Sequence, residues 1–551
     1  MSQRPDILLI LNDDMGFSDL GCYGGEVDTP NLDRLARGGV RFTQLNNTPR
    51  CSPSRASLMT GLHPHQVGLG ILTAYDGPDG YEGNLNHNGV TMAELLRANG
   101  YRTSMSGKWH LVRNDFLYDV EADARPRRRG FERYFGTLCG AGNYFSPRAI
   151  WRDDQLIEQQ VRDDPAFYYT DAISDHAVGF IDRHVMESPE QPLFQYVAYT
   201  APHWPLHAKP DDIARYKGRF AAGWDVLRRE RLERMVEMGL IDPSWRLSPR
   251  DPAVPEWRDA ENKAWEARRM EVYAAQIDCM DQGIGRILGA LERHGRLDNT
   301  LVVFLADNGG CAEEIVGTWA RRLADGSIGS GTHRPDGRAI QYGNDPGVMP
   351  GDETTYQSYG VPWANLSNTP FRMYKHWAHE GGIATPFIVH WPAGLAARGE
   401  LRHQPAQLTD IMATVVEVTG AAYPTEFEGH AVLPMEGRSL VPVLRENCDR
   451  DVTLFWEHEG NAAVRRGKWK LVRNFTAATS GRGGFDDTGR RGAWELYDLD
   501  ADRTELKDLA GEHRGLVAEL VAAYDNWAAR CGVIPRDDLL RAAKAWRERG
   551  G

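Results

Sequence analysis

The chain has no long apolar run. Near the N-terminus, residues 7–11 form an apolar stretch of only five residues before Asn12, Asp13 and Asp14 follow. A signal peptide needs a core of about 7–15 apolar residues and a membrane helix needs about 20. The sequence therefore predicts neither a secretion signal nor a membrane span, and we expect a cytoplasmic protein with no membrane partner.

Cysteine is scarce and scattered. The seven cysteines form no C-x-x-C pair and stand at positions 22, 51, 139, 279, 311, 448 and 531. An odd number without paired spacing predicts neither a disulfide framework nor a cysteine-bound zinc ion. This pattern agrees with a reducing compartment.

An excess of basic residues is also lacking. The 551 residues include 64 Lys and Arg against 77 Asp and Glu, which gives a formal net charge of −13. Such an acidic balance argues against a general nucleic-acid binder and against a binder of anionic membranes. The sequence also has no basic patch or internal repeat typical of an interaction module. Any anion that the protein binds must be held by a local site.

Short apolar runs alternate with helical patterns along most of the chain. Runs such as DILLIL, PLFQYVAYT, TLVVFLADNGG and TPFIVHWP are separated by amphipathic stretches such as NLDRLARGGVRF and TMAELLRANG. This alternation is typical of βαβ units. It predicts an α/β fold with a large, mostly parallel sheet sandwiched by helices.

Changes of pattern divide the chain into two predicted domains. Residues 1–430 form the large α/β domain, with a helical insertion at about 208–264 that is rich in Trp, Arg and Pro. A Gly-rich segment at about 311–370 lacks periodicity and predicts a long loop that serves the functional site. Residues 431–551 alternate like antiparallel strands and then show a helical pattern, which predicts a smaller C-terminal α+β domain with an antiparallel sheet.

The stretch CSPSR, residues 51–55, predicts a helix start with a local anion site. Pro53 suits the first turn and Gly61 suits the end, so we expect a helix of about two turns. Cys51 would stand at the positive end of this helix, and Arg55 would share its face. A buried cysteine before a proline-capped helix explains the same residues without a function.

Polar side chains follow four predicted strands. They are Asp13, Asp14, Lys108, His110, His203, Asp307 and Asn308. In an open α/β sheet, ligands bind beyond the carboxyl ends of the strands. Each motif alone can be a turn or a solvated acid pair, but their common placement at strand ends favours one shared site.

The chemistry of this set points to a metal ion and an anionic ester. Four residues offer only oxygen donors: Asp13, Asp14, Asp307 and Asn308. Such donors suit a hard divalent cation, Ca²⁺ in preference to Mg²⁺. The basic residues of the set, with Lys375, would add the cationic and acid–base groups that an anionic ester needs beside a metal.

These motifs resemble those of the type I sulfatases, the formylglycine-dependent branch of the alkaline-phosphatase superfamily. CSPSR resembles the C-x-P-x-R modification signal, and GYRTSMSGKWH at residues 100–110 resembles the second family signature. The stretches YTAPHWPLH, FLADNGG and NTPFRMYKHWAHEGGIATPFIVHWP resemble the remaining active-site blocks, particularly those of bacterial cytosolic arylsulfatases. Arg50 differs from many members, which carry an uncharged residue there.

The resemblance implies a sulfuric ester hydrolase that cleaves a small-molecule sulfate monoester to an alcohol or phenol and sulfate. Cys51 would be oxidised to Cα-formylglycine by a separate formylglycine-generating enzyme. The hydrated aldehyde would attack sulfur and form a covalent sulfated intermediate, which divides one difficult step into two. Residues 1–430 would be the catalytic domain of this enzyme.

The same resemblance implies a role for each site residue. Ca²⁺ would be held by Asp13, Asp14, Asp307, Asn308 and an oxygen of the modified Cys51. Arg55 and Lys108 would stabilise the hydrate and the sulfate charge. His203 and Lys375 would bind the sulfuryl group and help the alcohol or phenol leave. His110 would deprotonate the covalent intermediate so that sulfate is released.

Other interpretations remain open at this point. Phosphonate monoester hydrolases and phosphodiesterases of the same superfamily use similar metal and formylglycine blocks, although the block YKHWAHEGG around Lys375 resembles the sulfatase version more closely. A non-catalytic metal-binding relative would be expected to lack a charged site residue, and none is missing. His63 and His65 lie near Cys51 in sequence, but we do not predict them as ligands because oxygen donors already suffice for a hard cation.

Overall fold

The computed structural model describes residues 4–73, 77–324, 337–475, 491–539 and 541. Within these residues the strands are β1 (Asp6–Asn12), β2 (Val40–Phe42), β3 (Leu45–Asn46), β4 (Arg102–Gly107), β5 (Arg133–Thr137), β6 (Ile150–Arg152), β7 (Gln155–Leu156), β8 (Leu193–Ala198), β9 (Thr300–Ala306), β10 (Gln341–Tyr342), β11 (Thr355–Tyr356), β12 (Phe387–His390), β13 (Glu400–Arg402), β14 (Ala406–Gln407), β15 (Glu426–Phe427), β16 (His430–Ala431), β17 (Thr453–His458), β18 (Asn461–Arg466), β19 (Trp469–Arg473) and β20 (Glu495–Asp498).

Helices alternate with these strands. The α-helices are α1 (Pro30–Gly38), α2 (Cys51–Thr60), α3 (Met92–Ala98), α4 (Glu158–Arg162), α5 (Tyr169–Glu187), α6 (Pro210–Arg215), α7 (Trp224–Glu237), α8 (Lys263–Arg293), α9 (Gly317–Ala324), α10 (Gly360–Ser367), α11 (Glu380–Ile383), α12 (Thr409–Thr419), α13 (Val441–Glu446) and α14 (Arg514–Cys531). No helix in the described part of the chain is long and apolar enough to cross a membrane.

A ten-stranded sheet in the order β13-β2-β12-β9-β1-β8-β4-β5-β6-β7 forms the centre of the molecule. The five consecutive strands β9, β1, β8, β4 and β5 are parallel to one another. Side chains of β1 alternate between two cores: Leu8 and Ile10 pack with α5 and α8, while Ile7, Leu9 and Leu11 pack with α2 and α12. The predicted α/β class and mostly parallel sheet are therefore confirmed, because an apolar strand buried on both faces requires helices on both sides.

The run TPFIVHWP was expected to join the parallel strands, and this expectation is wrong. It forms β12, which runs antiparallel to both β9 and β2. Before β12 the chain lies at the carboxyl edge of the sheet, where the Lys375 amide donates to the Gly310 carbonyl just beyond β9 (3.1 Å). A segment that enters the sheet from that edge has to run opposite to the parallel strands.

The segment 311–370 is less irregular than its sequence predicts. It contains α9, α10 and the short parallel pair β10 and β11, while residues 325–336 lie outside the described residues. The helix α10 is almost entirely buried. Its apolar residues are too few for helical periodicity to be detected in the sequence, and tertiary packing determines the helix.

The C-terminal part contains a four-stranded antiparallel sheet in the order β17-β18-β19-β20, as its alternation predicts. Val464 and Leu471 on one face pack against α14. Ala463 and Val472 on the other face pack against the large sheet's side of the molecule, at Ala378 and Ile383. The second face brings this sheet close to the segment that contains Lys375.

Gly107, the last residue of β4, allows a close approach between two strands. Its φ is +113°, and a Cβ placed there would lie 1.9 Å from the carbonyl oxygen of Ala198 on β8.

We expect Gly107→Ala to lower the free energy of unfolding by roughly 3 kcal/mol or more, measured by urea denaturation, because backbone atoms must move. The control Gly179→Ala lies in α5 with open space around the site, and we expect it to change stability by about 1 kcal/mol or less. Equal stability of the two variants would contradict this reading of the β4–β8 contact.

Candidate active site

Neighbouring parallel strands bring the predicted polar residues to one edge of the sheet. β9, β1, β8 and β4 are adjacent, so the residues that follow them meet. Asp307 follows β9, Asp13 follows β1, and Lys108 follows β4, and all three side chains are fully buried. Charged groups at such depth require partners, and each finds them within this cluster.

Cys51 is the first residue of α2, which ends at Gly61 in the left-handed conformation (φ +71°). The helix is longer than the two turns expected, because its first turn begins two residues before Pro53. Burial raises the pKa of the Cys51 thiol above its usual value, although the charges of Lys108 and Lys375 oppose this effect. An unmodified Cys51 is therefore a protonated thiol, which is a weak nucleophile.

Arg55, one turn further along α2, is fully buried and tied to two strand ends. Its Nε and Nη2 atoms donate to Oδ2 of Asp307 at 3.1 and 2.8 Å, and Nη1 donates to the carbonyl of Lys108 at 2.9 Å. Nη2 also lies 3.6 Å from Oδ2 of Asp13. The guanidinium thus fixes the relative positions of three rim residues.

Asp14 lies at the centre of a second group of contacts. Its backbone has φ +65°, and its amide donates to Oδ1 of Asp307 at 3.2 Å. The side-chain amide of Asn308 donates to Oδ1 of Asp14 at 2.7 Å, and Nζ of Lys375 donates to Oδ2 at 2.9 Å. Lys375 is 361 positions away in sequence.

The buried carboxylates influence each other's ionisation. Burial alone would raise the pKa of Asp13, but the charges of Lys108, His203 and Arg55 lower it far below its ordinary value. Burial and the neighbouring charge of Asp13 raise the pKa of Asp307 to about 7, although Arg55 opposes this shift. The side-chain cations of the cluster therefore do not lower the pKa of every carboxyl group in it. An additional cation bound there would lower the pKa of Asp307 and stabilise its ionised form.

Two buried oxygens of this cluster have no hydrogen-bond partner among the described residues, and both are suitable ligands for a metal ion. They are Oδ1 of Asp13 and Oδ1 of Asn308. Donor atoms of Asp13, Asp14 and His203 lie within 4.8 Å of one another. Orphaned carboxylate and amide oxygens at this depth match the donor set of a hard divalent cation.

His203 and Lys375 lie together beside Asp14. Nε2 of His203 is 3.4 Å from Nζ of Lys375 and 3.3 Å from Oδ2 of Asp14. Nδ1 of His203 is 2.6 Å from the carbonyl of Trp204, and since a carbonyl only accepts, Nδ1 bears the proton and Nε2 is the atom that can exchange one. Burial would lower the pKa of Lys375, but the Asp14 carboxylate raises it well above its usual value, so the ammonium stays charged.

His110 lies two residues beyond Lys108, after the end of β4, and has φ +57°. Burial, together with the charges of Lys108 and Arg55, lowers the pKa of this imidazole well below 6.5. Its Nδ1 is buried and has no hydrogen-bond partner in the part of the chain that the structure describes. His110 is thus a neutral imidazole that can accept a proton.

A cavity of about 460 Å³ opens above these groups. Cys51, His110, His203 and Lys375 line one part of it. The rest of the wall is formed by aromatic, apolar, polar and charged residues: Arg50, Leu72, Thr73, Asn114, Leu117, Cys139, Gly140, Ala141, Arg148, Trp204, Glu313, Trp319, Arg322 and Tyr356. The volume suits a small organic molecule with its ester group at Cys51.

One feature of this wall has no signal in the sequence. Arg50, directly before Cys51, donates from Nη1 to Oε1 of Glu313 at 2.8 Å. The indole of Trp204 donates to Oε2 of the same carboxylate at 3.0 Å. Glu313 therefore links the cysteine helix to the aromatic wall, and only the folding of the 311–370 segment reveals it.

Three histidines that lie near site residues in the sequence, His63, His65 and His207, have structural partners. Nε2 of His65 is 2.7 Å from Oε2 of Glu457, and His63 is 4.0 Å from Glu436. His207 contacts the Thr355 carbonyl at 2.6 Å through Nε2. These contacts are made with residues outside the cluster around Asp13 and Cys51.

Comparisons with known proteins agree on one family. The profile of the family described as Sulfatase matches residues 5–421, and the one described as N-sulphoglucosamine sulphohydrolase, C-terminal, matches residues 371–524. An arylsulfatase of Klebsiella aerogenes is 33% identical, over 80% of this chain and 91% of its own length. An uncharacterized sulfatase of Schizosaccharomyces pombe is 31% identical, over 98% of this chain and 96% of its own.

Solved structures have the same overall fold. The PsFucS1 sulfatase from Pseudoalteromonas sp. superposes with a TM-score of 0.61 at 21% identity, over 97% of this chain and 92% of that one. BT4656, solved with its substrate D-glucosamine-2-N,6-O-disulfate, gives a TM-score of 0.60 at 20% identity, over 96% and 98% of the two chains. At these identities the likeness concerns the fold.

Proposed function

This chain belongs to the sulfatase family and is a sulfate ester hydrolase, and we propose that it acts on a small-molecule sulfate monoester through a formylglycine formed from Cys51. The observation that carries the proposal is the cavity in which Cys51, His110, His203 and Lys375 converge. A protonated, buried thiol is a poor nucleophile toward sulfur, which supports a modified residue at position 51. Formylglycine at position 51 would supply a hydroxyl of its hydrated aldehyde as the nucleophile.

A divalent metal ion, which we propose to be Ca²⁺, fits the oxygen cluster. The residues that would hold it are Asp13, Asp14, Asp307 and Asn308, together with an oxygen of the modified residue 51. The orphaned oxygens of Asp13 and Asn308 support this set. Bound there, the ion would lower the pKa of a coordinated hydroxyl and attract the anionic ester.

Arg55 and Lys108 prepare the site for an anion. Arg55 is held by Asp307 and by the backbone of Lys108, and the ammonium of Lys108 donates to Asp13. Both cations are buried and cannot move away, so their charges act on residue 51 without the cost of reorganisation. A formylglycine-generating enzyme would have to act on the CSPSR segment before folding buries it.

In this proposal, His203 and Lys375 act on the ester oxygen that leaves. Lys375 stays charged and can bind a sulfuryl oxygen. Burial lowers the pKa of His203, although the Asp14 carboxylate opposes this shift, so Nε2 would give a proton to the alcohol or phenol from the imidazolium form, which a bound anionic ester favours. His110, which lines the same cavity, is neutral and can accept the proton whose removal releases sulfate. The two histidines thus have different tasks.

The function is tested by mass spectrometry of the peptide that contains residue 51, combined with rates on an aryl sulfate, an alkyl sulfate and a phosphonate monoester. We expect a mass corresponding to formylglycine and the largest kcat/KM on a sulfate ester. An unmodified cysteine in fully active enzyme would contradict the nucleophile, and a preference for the phosphonate would contradict the substrate class.

The roles of His203 and His110 lead to opposite kinetic signatures. Because a good phenolate needs little protonation, His203→Ala should lose more rate on alkyl sulfates than on activated aryl sulfates, within the roughly 10²–10⁴-fold typical of acid–base catalysis. His110→Ala should instead accumulate a sulfated residue 51, show a burst with activated substrates and then turn over at a rate almost independent of the leaving group.

Stopped-flow kinetics and mass spectrometry of the quenched enzyme distinguish the two variants. A trapped sulfated residue in His203→Ala, with leaving-group dependence in His110→Ala, would show that the assignments are reversed.

A further inference from the structure

The segment that carries Lys375 has an unusual backbone. His376, the next residue, has φ +94°, and Met373 has φ +64°. Non-glycine residues rarely adopt positive φ, at a cost on the order of 1–3 kcal/mol, and they do so where surrounding contacts determine the conformation. The contacts of His376 therefore bear directly on where Lys375 lies.

Main-chain hydrogen bonds hold this segment on two sides. The amide of Lys375 donates to the Gly310 carbonyl at 3.1 Å, and the amide of His376 donates to the Pro49 carbonyl at 2.7 Å. These bonds place Lys375 between the loop after β9 and the residues before Cys51. The side chain of His376 contacts a different part of the protein, the C-terminal sheet.

The turn between β17 and β18, residues 458–461, meets the His376 ring. Glu459 and Gly460 both have positive φ (+50° and +86°), the conformation of a two-residue hairpin turn. Oε2 of Glu459 lies 3.1 Å from Nδ1 of His376, and Nδ2 of Asn461 lies 3.2 Å from Nε2. Both ring nitrogens are thus held by this turn, and the Glu459 side chain is only 10% exposed.

The hydrogen-bond network assigns the proton of the ring. Oδ1 of Asn461 accepts from the amide of Phe475, and Nδ2 donates to the His458 carbonyl, both at 3.2 Å. Asn461 therefore presents its NH₂ group to Nε2 of His376, so Nδ1 bears the proton and donates it to Glu459. A metal ion bound between His376 and Glu459 would require Nδ1 of His376 to lose this proton. We therefore interpret the contacts among His376, Glu459 and Asn461 as hydrogen bonds that hold the imidazole ring in place.

The charge of Glu459 is also supported. Burial would raise the pKa of this carboxyl, but the hydrogen bond from His376 and the charges of His458 and Arg536 lower it well below 4.5. Arg536 approaches the other oxygen of Glu459 at 3.5 Å. The acceptor of the His376 proton is therefore an anion, which makes the hydrogen bond a strong one.

We propose that Glu459, with Asn461, is a positioning residue for Lys375: it holds the His376 ring, and thereby the strained backbone that places the Lys375 ammonium beside Asp14 and His203. The proposal rests on the role given to Lys375 under the proposed function. The C-terminal sheet would then contribute to the active site indirectly, because none of its described residues lines the cavity.

A double-mutant cycle on the matured enzyme tests this coupling. The variants are Glu459→Ala, Lys375→Ala and their combination, and kcat/KM for an aryl sulfate is normalised to the formylglycine content of each preparation. Since a displacement of about 1 Å can cost 10²-fold, we expect Glu459→Ala to lose about 10- to 100-fold. In the Lys375→Ala background the same change should cost less than about twofold, because the group it positions is gone.

Two further variants separate positioning from general stability. Glu459→Gln keeps an oxygen acceptor for the His376 proton and should retain activity within about threefold. The control is Glu436→Gln, which should leave kcat/KM unchanged. The carboxylate of Glu436 accepts hydrogen bonds from Gln66 and Arg530 and, in the described part of the chain, does not contact the Lys375 segment. If Glu459→Ala does not fold, Asn461→Ala, which removes the other contact to the ring, replaces it in the cycle.

The outcomes distinguish the two proposals. Full activity of Lys375→Ala would refute the role of Lys375 itself. A large loss in Lys375→Ala, with an effect of Glu459→Ala that is absent or equally large in both backgrounds, would refute only the positioning role.

Discussion

Replacing Cys51 by alanine is expected to abolish turnover while leaving the protein folded. A methyl group offers neither an aldehyde nor a hydroxyl, so the covalent route is lost, and we expect a decrease of at least about 10⁴-fold in kcat, the order seen when a covalent nucleophile is removed. Cys51 lies at the start of α2 and is 3% exposed, and the substitution removes only its sulfur atom. The unfolding free energy should therefore change by about 1–2 kcal/mol at most.

Cys279→Ala is the matched control, since this buried cysteine lies in α8 and donates its thiol to Asp212 at 3.0 Å. It should lower stability comparably and leave kcat within about twofold. Cys51→Ser should be as inactive as the alanine variant when the generating enzyme accepts only thiols. Near-wild-type turnover of Cys51→Ala would refute the proposed mechanism, provided that mass spectrometry shows no contaminating wild-type enzyme.

Removal of the metal ion is expected to have the second-largest effect. Thorough chelation should eliminate activity, and Ca²⁺ should restore it better than Zn²⁺, because oxygen donors prefer hard cations. Stability gives a second measurement: a ligand that binds only the native state at 100 times its Kd adds about 2.7 kcal/mol. Added Ca²⁺ should therefore raise the Tm of the chelated protein.

Asp13→Ala should eliminate this Ca²⁺-dependent rise in Tm, because it removes a buried carboxylate with an orphaned oxygen. The control is Asp281→Asn, a buried carboxylate of α8 that accepts hydrogen bonds from Asn31 and Leu32. It should lower the Tm without changing the shift caused by Ca²⁺. Preferential rescue by Zn²⁺, with zinc detected in the purified protein by elemental analysis, would overturn the assignment of the metal.

Much of the fold was predictable because its signals are local. The apolar run of β1 is buried on both faces, as in a central parallel strand, and Gly61 ends α2 in the left-handed conformation that glycine favours. The direction of β12 was not predictable from the run TPFIVHWP. Strand direction depends on the edge at which the chain enters the sheet, and no local pattern records that edge.

The sequence alone determined which chemical groups stand at the carboxyl ends of the strands. Parallel strands place those ends at one edge, so Asp13, Lys108 and Asp307 could be assigned to one site before their contacts were known. Only the tertiary structure decided how these groups are paired: Lys375 with Asp14, Arg50 with Glu313, and the His376 ring with Glu459. These pairs join residues that are 361, 263 and 83 positions apart, respectively, in segments of different periodicity. Such contacts arise from the packing of loops and of the C-terminal sheet, in which the burial of a charge requires whichever partner the fold brings within reach.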